Sequence, residues 1–272
     1  MTIWSSRLRE DLCARARSYA EQSRVEFYQS RGAAAVTLFP TLADGTGHGN
    51  FSAASFAAIQ ANPAWRSRLA KPHTRRRTAL PAPHDSTAKE MDSCTSSDAL
   101  AMNVFCYPSV VSADIAQLMG VPPGTTPAFG MPGLVPLLND RTDATEVDMV
   151  LGDTSVEAKL TESTFTARPK AHVERYARLY ETFEKDLLPT HGDDYQSYQL
   201  IRNVLAVASR RSARFVVLLD ARRPDLLREW WVIHTAIRDG SLRARCAFVT
   251  WQELAAAAPL PLRSFLELKY GL

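Results

Sequence analysis

Four charged residues in the middle of the chain have the types and spacing that metal-assisted chemistry requires. Glu146 and Asp148 alternate along one predicted strand, and Glu157 and Lys159 alternate along the next. Because strand side chains repeat every two residues, each pair shares one face of its strand. If the strands pair, three carboxylates and one ammonium converge on a small patch, and carboxylates crowded in this way favour a bound cation. The pattern predicts metal-assisted phosphodiester chemistry.

Each of these side chains has an expected role. Mg²⁺ prefers oxygen ligands and keeps several waters, so Asp148 and Glu157 suffice as protein ligands, with Mn²⁺ as a substitute ion. Lys159 stays protonated beside two carboxylates, which favours an electrostatic role toward the attacking water or the transition state over that of a base. Glu146 is expected to tune the site or to bind a second ion. The alternative interpretation is a solvated strand face with cross-strand ion pairs.

A bare acidic-x-Lys tripeptide is weak support, and the chain contains a second copy that shows why. Glu267-Leu-Lys269 has the same pattern, but it falls in a predicted C-terminal helix and has no acidic strand before it. The copy at Glu157 follows an aspartate-bearing strand and the predicted turn Gly152-Asp153. The hairpin context, rather than the tripeptide, therefore carries the prediction.

With these residues, the chain resembles the PD-(D/E)xK, or restriction-endonuclease-like, nuclease superfamily. Residues 145–150 resemble its aspartate-bearing strand and residues 156–162 its E-x-K strand. No proline precedes Asp148, although that proline is dispensable in the superfamily. The resemblance covers roughly residues 90–250. It implies an α/β fold with a mixed β-sheet flanked by helices, Mg²⁺-dependent hydrolysis of DNA, and DNA as the partner.

The resemblance implies further site residues outside the hairpin. Residues 198–203 are similar to the helix that follows the catalytic hairpin in many members, where a polar side chain faces the site. Gln199 and Arg202 are the matching candidates, and Gln199 is assigned a catalytic role. Some branches add a glutamate from a leading helix, and Glu90 is the candidate ligand here. The alternative for Gln199 and Arg202 is the wet face of an amphipathic helix.

Periodicity, caps and breakers predict the elements that must position these residues. Ser52 is expected as a helix N-cap, Pro224 as an early helical residue and Gly240 as a helix stop. Residues 120–140 are expected to form a loop with one short strand near 134–138. Helices are predicted over 5–31, 52–59, 97–105, 170–187, 195–209 and 224–238, followed by two final helices, and strands over 33–39, 144–151, 154–160, 215–219 and 246–250.

Charge is distributed unevenly along the chain. Residues 1–90 carry 13 basic and 7 acidic residues, whereas residues 91–167 carry 2 and 10, and residues 168–272 carry 17 and 12. An acidic centre between basic flanks suits a site that holds Mg²⁺ and grips a polyanion. The expected organisation is an N-terminal helical extension with a basic loop over 1–85 and a nuclease-like domain over 86–272.

Composition excludes several other classes. No apolar run is long enough to cross a bilayer, and the N-terminal residues lack the apolar segment of a secretory signal, so no membrane partner is expected. The four cysteines are scattered without a C-x-x-C pair, which fits a reducing cytoplasm and argues against a disulfide scaffold. The histidines lack zinc-ligand spacing. The oligomeric state is open, and a homodimer is one arrangement that the sequence permits.

Three other segments carry competing signals. The Gly45–Gly49 segment could hold a phosphate through backbone N–H groups, but it lacks the Lys-Ser/Thr that completes a P-loop. Arg75–Arg77 could contact phosphates or form a solvated loop. Trp230 and Trp231 could stack on bases, but core packing is the favoured interpretation. Two alternatives to a nuclease therefore stay open: a catalytically silent DNA-binding module of the same fold, and a nucleotide-binding protein built around the glycine-rich segment.

Overall fold

The computed structural model describes residues 2–30, 35–42, 45–72 and 88–272. The arginine run Arg75–Arg77 lies outside these residues, as does the predicted boundary between residues 85 and 86. Within these ranges, no helix combines the length and the apolar character that crossing a lipid bilayer requires. The division into an extension and a nuclease-like domain stays a prediction.

A five-stranded mixed sheet forms the centre of the fold. Its strand order is β12-β11-β7-β6-β3; β12, β11 and β7 are parallel, and β7, β6 and β3 are antiparallel. The strands of the described residues are β1 (Tyr28–Gln29), β2 (Thr37–Leu38), β3 (Pro127–Pro132), β4 (Val135–Pro136), β5 (Thr142–Asp143), β6 (Glu146–Leu151), β7 (Thr154–Ala158), β8 (Arg168–Pro169), β9 (Thr190–His191), β10 (Asp194–Tyr195), β11 (Arg214–Leu219) and β12 (Cys246–Thr250).

Helices cover both faces of this sheet, so the predicted α/β class with a mixed sheet and an N-terminal helix is confirmed. Short 3₁₀ turns lie at Glu90–Asp92 and Lys185–Leu187. The α-helices are α1 (Ile3–Ser23), α2 (Ala53–Ala61), α3 (Pro63–Arg68), α4 (Ser97–Phe105), α5 (Ala113–Met119), α6 (Lys170–Val173), α7 (Leu179–Thr182), α8 (Tyr198–Ala208), α9 (Pro224–Ala236), α10 (Gly240–Arg243), α11 (Trp251–Ala257) and α12 (Leu260–Tyr270).

Alternation along the strands separates two cores, one on each face of the central sheet. On β11, Val216 and Leu218 pack into a core with residues of α1, α4, α5, α11 and α12. Phe215, Val217 and Leu219 point to the other face, where α8 and α9 supply most of the apolar partners. A central strand buried on both faces reads as a continuous apolar run, which is why this strand could be predicted from the sequence.

The N-terminal helix is part of this packing. Leu8 and Leu12 of α1 lie in the same core as Leu262 and Leu266 of α12. Thr2 caps α1 by accepting a hydrogen bond from the Ser5 N–H. The first and last helices of the described chain therefore stabilise each other and the sheet.

The predicted single helix over 170–187 is wrong. The chain forms α6, then α7, then a 3₁₀ turn, because the backbone between them pairs elsewhere. Leu137 and Tyr176 form an antiparallel bridge, and the Ala177 N–H donates to the Pro136 carbonyl over 3.0 Å. Tertiary pairing of this kind overrides a continuous helical pattern, which the sequence alone does not show.

Three smaller predictions also need correction. The short strand expected near 134–138 is present as β4, but the stretch 120–140 also contains an unpredicted edge strand, β3, whose two ends are Pro127 and Pro132, positions that an edge strand tolerates. Gly240 does not simply end α9; it begins α10, with Asp239 as the N-cap. Trp230 is buried as expected, but Trp231 is 48% exposed and meets Phe248 edge-on.

Candidate active site

The β6–β7 hairpin places Asp148 and Glu157 on the same side of the sheet. Met149 pairs with Val156, and both side chains belong to the core on the opposite side. The alternating neighbours Asp148 and Glu157 consequently face the side covered by α8. The Asp148 Oδ2 accepts a hydrogen bond from the Ala158 backbone N–H over 2.8 Å, which fixes this carboxylate against the neighbouring strand.

Glu157 is the most heavily bonded carboxylate of the site, although it is only 1% exposed. Its Oε1 accepts hydrogen bonds from the Lys159 ammonium over 2.7 Å and from the Gln199 side-chain amide over 2.6 Å. Its Oε2 accepts one from the Asn203 amide over 2.7 Å and lies 3.8 Å from the Arg202 guanidinium. Glu157 thus meets Lys159, just beyond β7, and three polar side chains on one face of α8, those of Gln199, Arg202 and Asn203.

Helix α8 can present this polar face because its other side is strongly apolar. Leu200, Ile201 and Val204 are fully buried in the core beneath it. The Arg202 guanidinium donates to the Asn203 Oδ1, so the Asn203 amide N–H₂ is oriented toward Glu157. Gln199 and Arg202, predicted from the resemblance, both lie at this carboxylate; Asn203 was missed.

The pKa values of Glu157, Lys159 and Asp148 are shifted in different directions by burial and by one another's charges. Burial by itself raises the pKa of Glu157, but the charges of Lys159 and Arg202 outweigh it and lower that pKa. Burial would lower the pKa of Lys159, but Glu157 and Asp148 raise it, so the side chain is an ammonium at neutral pH. Burial and the Glu157 charge raise the pKa of Asp148 well above its usual value. The Lys159 ammonium therefore stabilises the ionised form of Glu157 more than that of Asp148.

Glu146 is held by cations from the N-terminal part of the chain. Its Oε1 lies 2.8 Å from the Arg68 guanidinium and 3.5 Å from the Lys71 ammonium. The same two cations bind Asp98 in the first turn of α4, Lys71 over 2.5 Å and Arg68 over 3.4 Å. Asp98 also contributes to the raised pKa of Asp148, so its negative charge is close to the site. The only sequence signal for Asp98 is an acidic residue in the first turn of a predicted helix, a position that also stabilises a helix N-terminus.

Glu162 closes the segment after Lys159. Its Oε1 accepts from the Ser97 hydroxyl over 2.7 Å, and its Oε2 accepts from the Leu160 backbone N–H over 2.6 Å. Its charge also helps to raise the pKa of Lys159. Glu162 therefore ties the end of the hairpin to the start of α4 and adds to the negative potential around the ammonium.

Glu90 lies in the 3₁₀ turn that precedes α4, rather than on a helix. Its backbone N–H donates to the Lys71 carbonyl over 2.9 Å. The acidic residue that the structure places beside Glu146 is Asp98, eight positions further along the chain. A role for Glu90 as a ligand stays a prediction.

The glycine-rich segment is a packed turn in its described part. His48 is 5% exposed, its Nε2 lies 3.1 Å from Asp92, and its Nδ1 accepts the Asn50 N–H. The Gly49 carbonyl accepts a hydrogen bond from the Lys269 Nζ over 3.0 Å. These contacts give His48 and Gly49 a structural role in joining the N-terminal segment to α12, whereas Gly45 and Thr46 are exposed.

Comparison with known protein families identifies the family of this chain. A model of the family described as Restriction Endonuclease associating with ARP matches residues 14–271. The chain belongs to this family. The resemblance to restriction-endonuclease-like proteins and the corresponding fold are thereby confirmed. No curated protein and no solved structure matches the chain.

The donor types of this endonuclease-family site fit Mg²⁺, while its protein ligands are few. Asp148 and Glu157 supply carboxylate oxygens, the ligands that Mg²⁺ prefers. Among the described residues, no group of three or more His, Cys, Asp or Glu side chains is arranged to hold a metal ion. A site of two carboxylates would therefore rely on water and on substrate phosphate oxygens, which is the usual mode of Mg²⁺ binding.

Proposed function

We propose that this protein is a metal-dependent nuclease that hydrolyses DNA phosphodiester bonds. The observation that carries the proposal is the Lys159 ammonium bonded to Glu157 beside Asp148, on the hairpin of a restriction-endonuclease-family fold. Asp148 and Glu157 would bind Mg²⁺ or Mn²⁺. When bound, the ion would supply charge neutralisation at the phosphate and activation of a water.

Lys159, Gln199 and Glu146 have separate proposed roles beside the metal ion. Lys159 is held in its charged form by two carboxylates, so it can stabilise negative charge on the phosphate or orient the attacking water. Gln199 positions Glu157 through a 2.6 Å hydrogen bond and also lines the cleft beside α8. Glu146, with its partners Arg68 and Lys71, would tune the charge at the edge of the site or bind a second ion.

One observation favours a second candidate, a catalytically silent DNA-binding module. Glu157 is nearly inaccessible and its two oxygens already accept three side-chain hydrogen bonds. A carboxylate satisfied in this way can serve purely to stabilise the hairpin against α8. Metal binding by Glu157 would use the remaining lone pair of Oε2 or displace one of these three donors.

Cleavage assays separate the two candidates. Supercoiled plasmid and linear single- and double-stranded DNA would be incubated with Mg²⁺, Mn²⁺ or EDTA. We expect wild-type cleavage that requires metal, and a loss of about 100-fold or more in Lys159→Ala, as for removal of one transition-state donor. Lys185→Ala, an exposed lysine stacked near Tyr180, is the matched control and should cleave normally.

Three results would contradict the proposed mechanism or favour one of its alternatives. Intact metal-dependent cleavage in both Asp148→Ala and Lys159→Ala would exclude the assigned roles. DNA binding without cleavage in any metal condition would favour the silent module. A melting shift with ATP that Gly47→Ala removes would instead support the nucleotide-binding alternative.

A further inference from the structure

A cleft of about 440 Å³ opens beside the N-terminal end of α8. It shares Gln199 and Arg202 with the candidate active site, and Gln199 donates directly to Glu157. Its remaining charged lining comes from the segment 166–175, where Arg168 and Arg175 reach the rim, and from Asp143. The cleft is therefore continuous with the candidate site but is built mostly from a different part of the chain.

A chain of hydrogen bonds that includes the buried Tyr176 links the lining residues Asp143, Tyr198 and His172. The Tyr176 hydroxyl donates to Asp143 over 2.5 Å and lies 2.7 Å from the Tyr198 hydroxyl, which in turn lies 3.3 Å from His172 Nε2. Burial would raise the pKa of Asp143, but hydrogen bonds from Thr145 and Tyr176 lower it, so this residue stays an anion. The single carboxylate of the lining is thus already engaged by hydroxyl groups.

The rim carries positive charge that the lining does not neutralise. Within the described residues, neither Arg168 nor Arg175 forms an ion pair, and both side chains belong to exposed residues. Arg168 stacks over the Tyr198 ring at 5.6 Å, and Arg175 contacts the carbonyl and Nδ1 of His172. Burial, followed by the charges of Arg175 and Arg168, lowers the pKa of His172, which reports the positive potential at this position.

From this geometry we infer that the cleft binds a backbone phosphate of nucleic acid through Arg168 and Arg175, next to the candidate hydrolytic site. Guanidinium groups with free N–H donors match phosphate oxygens in bidentate geometry. Tyr198 is 5% exposed, so its ring orients Arg168 rather than stacking on a base. The binding is accordingly to the backbone and independent of sequence.

This inference takes its ligand class from the proposed function, but it is tested separately by binding without metal. Fluorescence anisotropy with labelled duplex DNA in EDTA would compare wild type, Arg168→Gln, Arg175→Gln and the double variant over a range of salt concentrations. Arg238→Gln removes an exposed arginine that pairs with Glu184 and is the matched control. Thermal melting of each variant verifies that the fold is unchanged.

We expect each single variant to weaken binding several-fold and the double variant to reduce the slope of log Kobs against log salt by about 1.8, the value for two phosphate contacts. Arg238→Gln should keep the wild-type slope. An unchanged slope and affinity in the double variant would overturn the inference, as would failure of the wild type to bind DNA. Inorganic phosphate is a further probe: stabilisation by phosphate without DNA binding would assign the cleft to a free anion and overturn it too.

The outcomes for the cleft and for the nuclease are distinguishable. Wild type that binds DNA through Arg168 and Arg175 but never cleaves it would support the cleft and contradict the proposed function. Cleavage that depends on Lys159 while the double variant binds normally would support the nuclease and overturn the cleft.

Discussion

The side-chain amide of Asn203 donates a 2.7 Å hydrogen bond to the Oε2 of Glu157, and both residues are about 1% exposed. The Arg202 guanidinium bonds the Asn203 oxygen from the other side, so the direction of the amide is fixed. Asn203 therefore holds one oxygen of the central carboxylate while Lys159 and Gln199 hold the other. The orientation of Glu157 depends on α8 as much as on its own strand.

Replacing Asn203 with alanine should destabilise the fold because it leaves a buried carboxylate oxygen without its donor. We expect the free energy of unfolding to fall by about 1–3 kcal/mol, measured by urea denaturation. Asn139→Ala, in an exposed turn, is the control and should change stability by less than about 0.5 kcal/mol. Equal stability of the two variants would show that water replaces the Asn203 amide.

Asp148→Asn should stabilise the metal-free protein and abolish its response to Mg²⁺. Burial and the Glu157 charge make ionised Asp148 unfavourable, and the asparagine oxygen can still accept from the Ala158 N–H. Because a raised folded-state pKa costs stability as pH rises from the unfolded value, the gain should be present at neutral pH and absent in acid. We expect a melting increase of roughly 2–4 °C, the shift that about 1 kcal/mol produces at this chain length.

The second measurement is the stabilisation of wild type and Asp148→Asn by Mg²⁺. Wild type at a Mg²⁺ concentration 100 times its dissociation constant should gain about 2.7 kcal/mol, and Asp148→Asn should gain nothing. Magnesium-free samples treated with EDTA set the baseline. A variant that is less stable than wild type in EDTA would show that Asp148 is structural and not repelled by Glu157.

The two acidic-x-Lys tripeptides show what the sequence could and could not predict. At Glu157, strand alternation directs both side chains to one face, where they meet over 2.7 Å. In α12, residues two positions apart point in different directions, so Glu267 is exposed and Lys269 is buried. The hairpin, its Gly152-Asp153 turn and the buried strand β11 were predictable because their signals are local.

The missed residues depend on non-local packing. Asn203 has no distinguishing sequence context and reaches Glu157 only because α8 crosses that face of β7. Asp98 comes near Glu146 only through Arg68 and Lys71, which are about thirty positions earlier in the chain. The break between α6 and α7 likewise follows from pairing with residues 136–138. Local sequence patterns do not predict contacts that arise from tertiary packing.

Arg68→Met should test whether the N-terminal segment neutralises the acidic edge of the site. Its guanidinium pairs with Glu146 and Asp98, and loss of this cation leaves both carboxylates to Lys71. We expect a loss of about 1 kcal/mol in the free energy of unfolding, since Glu146 is partly solvated and the pairs are screened. Arg66→Met, on the exposed side of α3, is the control. A loss that does not shrink in high salt would show that packing, rather than charge, is responsible.

Lys269 should make stability rise with pH in the alkaline range. The Lys269 Nζ donates hydrogen bonds to the Gly49 carbonyl and to the Asn50 side-chain oxygen. It lies 4.2 Å from the centre of the Phe39 ring and forms no ion pair with a carboxylate of the described residues. Burial lowers its pKa well below the usual value, so between the folded-state pKa and about 10.4 the unfolded chain binds the extra proton. Stability therefore increases with pH in this window, by up to about 1.4 kcal/mol per pH unit, and declines as pH falls toward the folded-state pKa.

The measurement is the pH slope of the unfolding free energy between pH 8 and 9.5 in wild type and Lys269→Met. Subtracting the two slopes removes the contributions of the other lysines, tyrosines and cysteines. We expect wild type to show the steeper rise, whereas Lys185→Met, at an exposed lysine, should keep the wild-type slope. Identical slopes in wild type and Lys269→Met would mean that Lys269 is charged in the folded protein, with the surrounding aromatic rings and carbonyl oxygens sufficient to hold an ammonium.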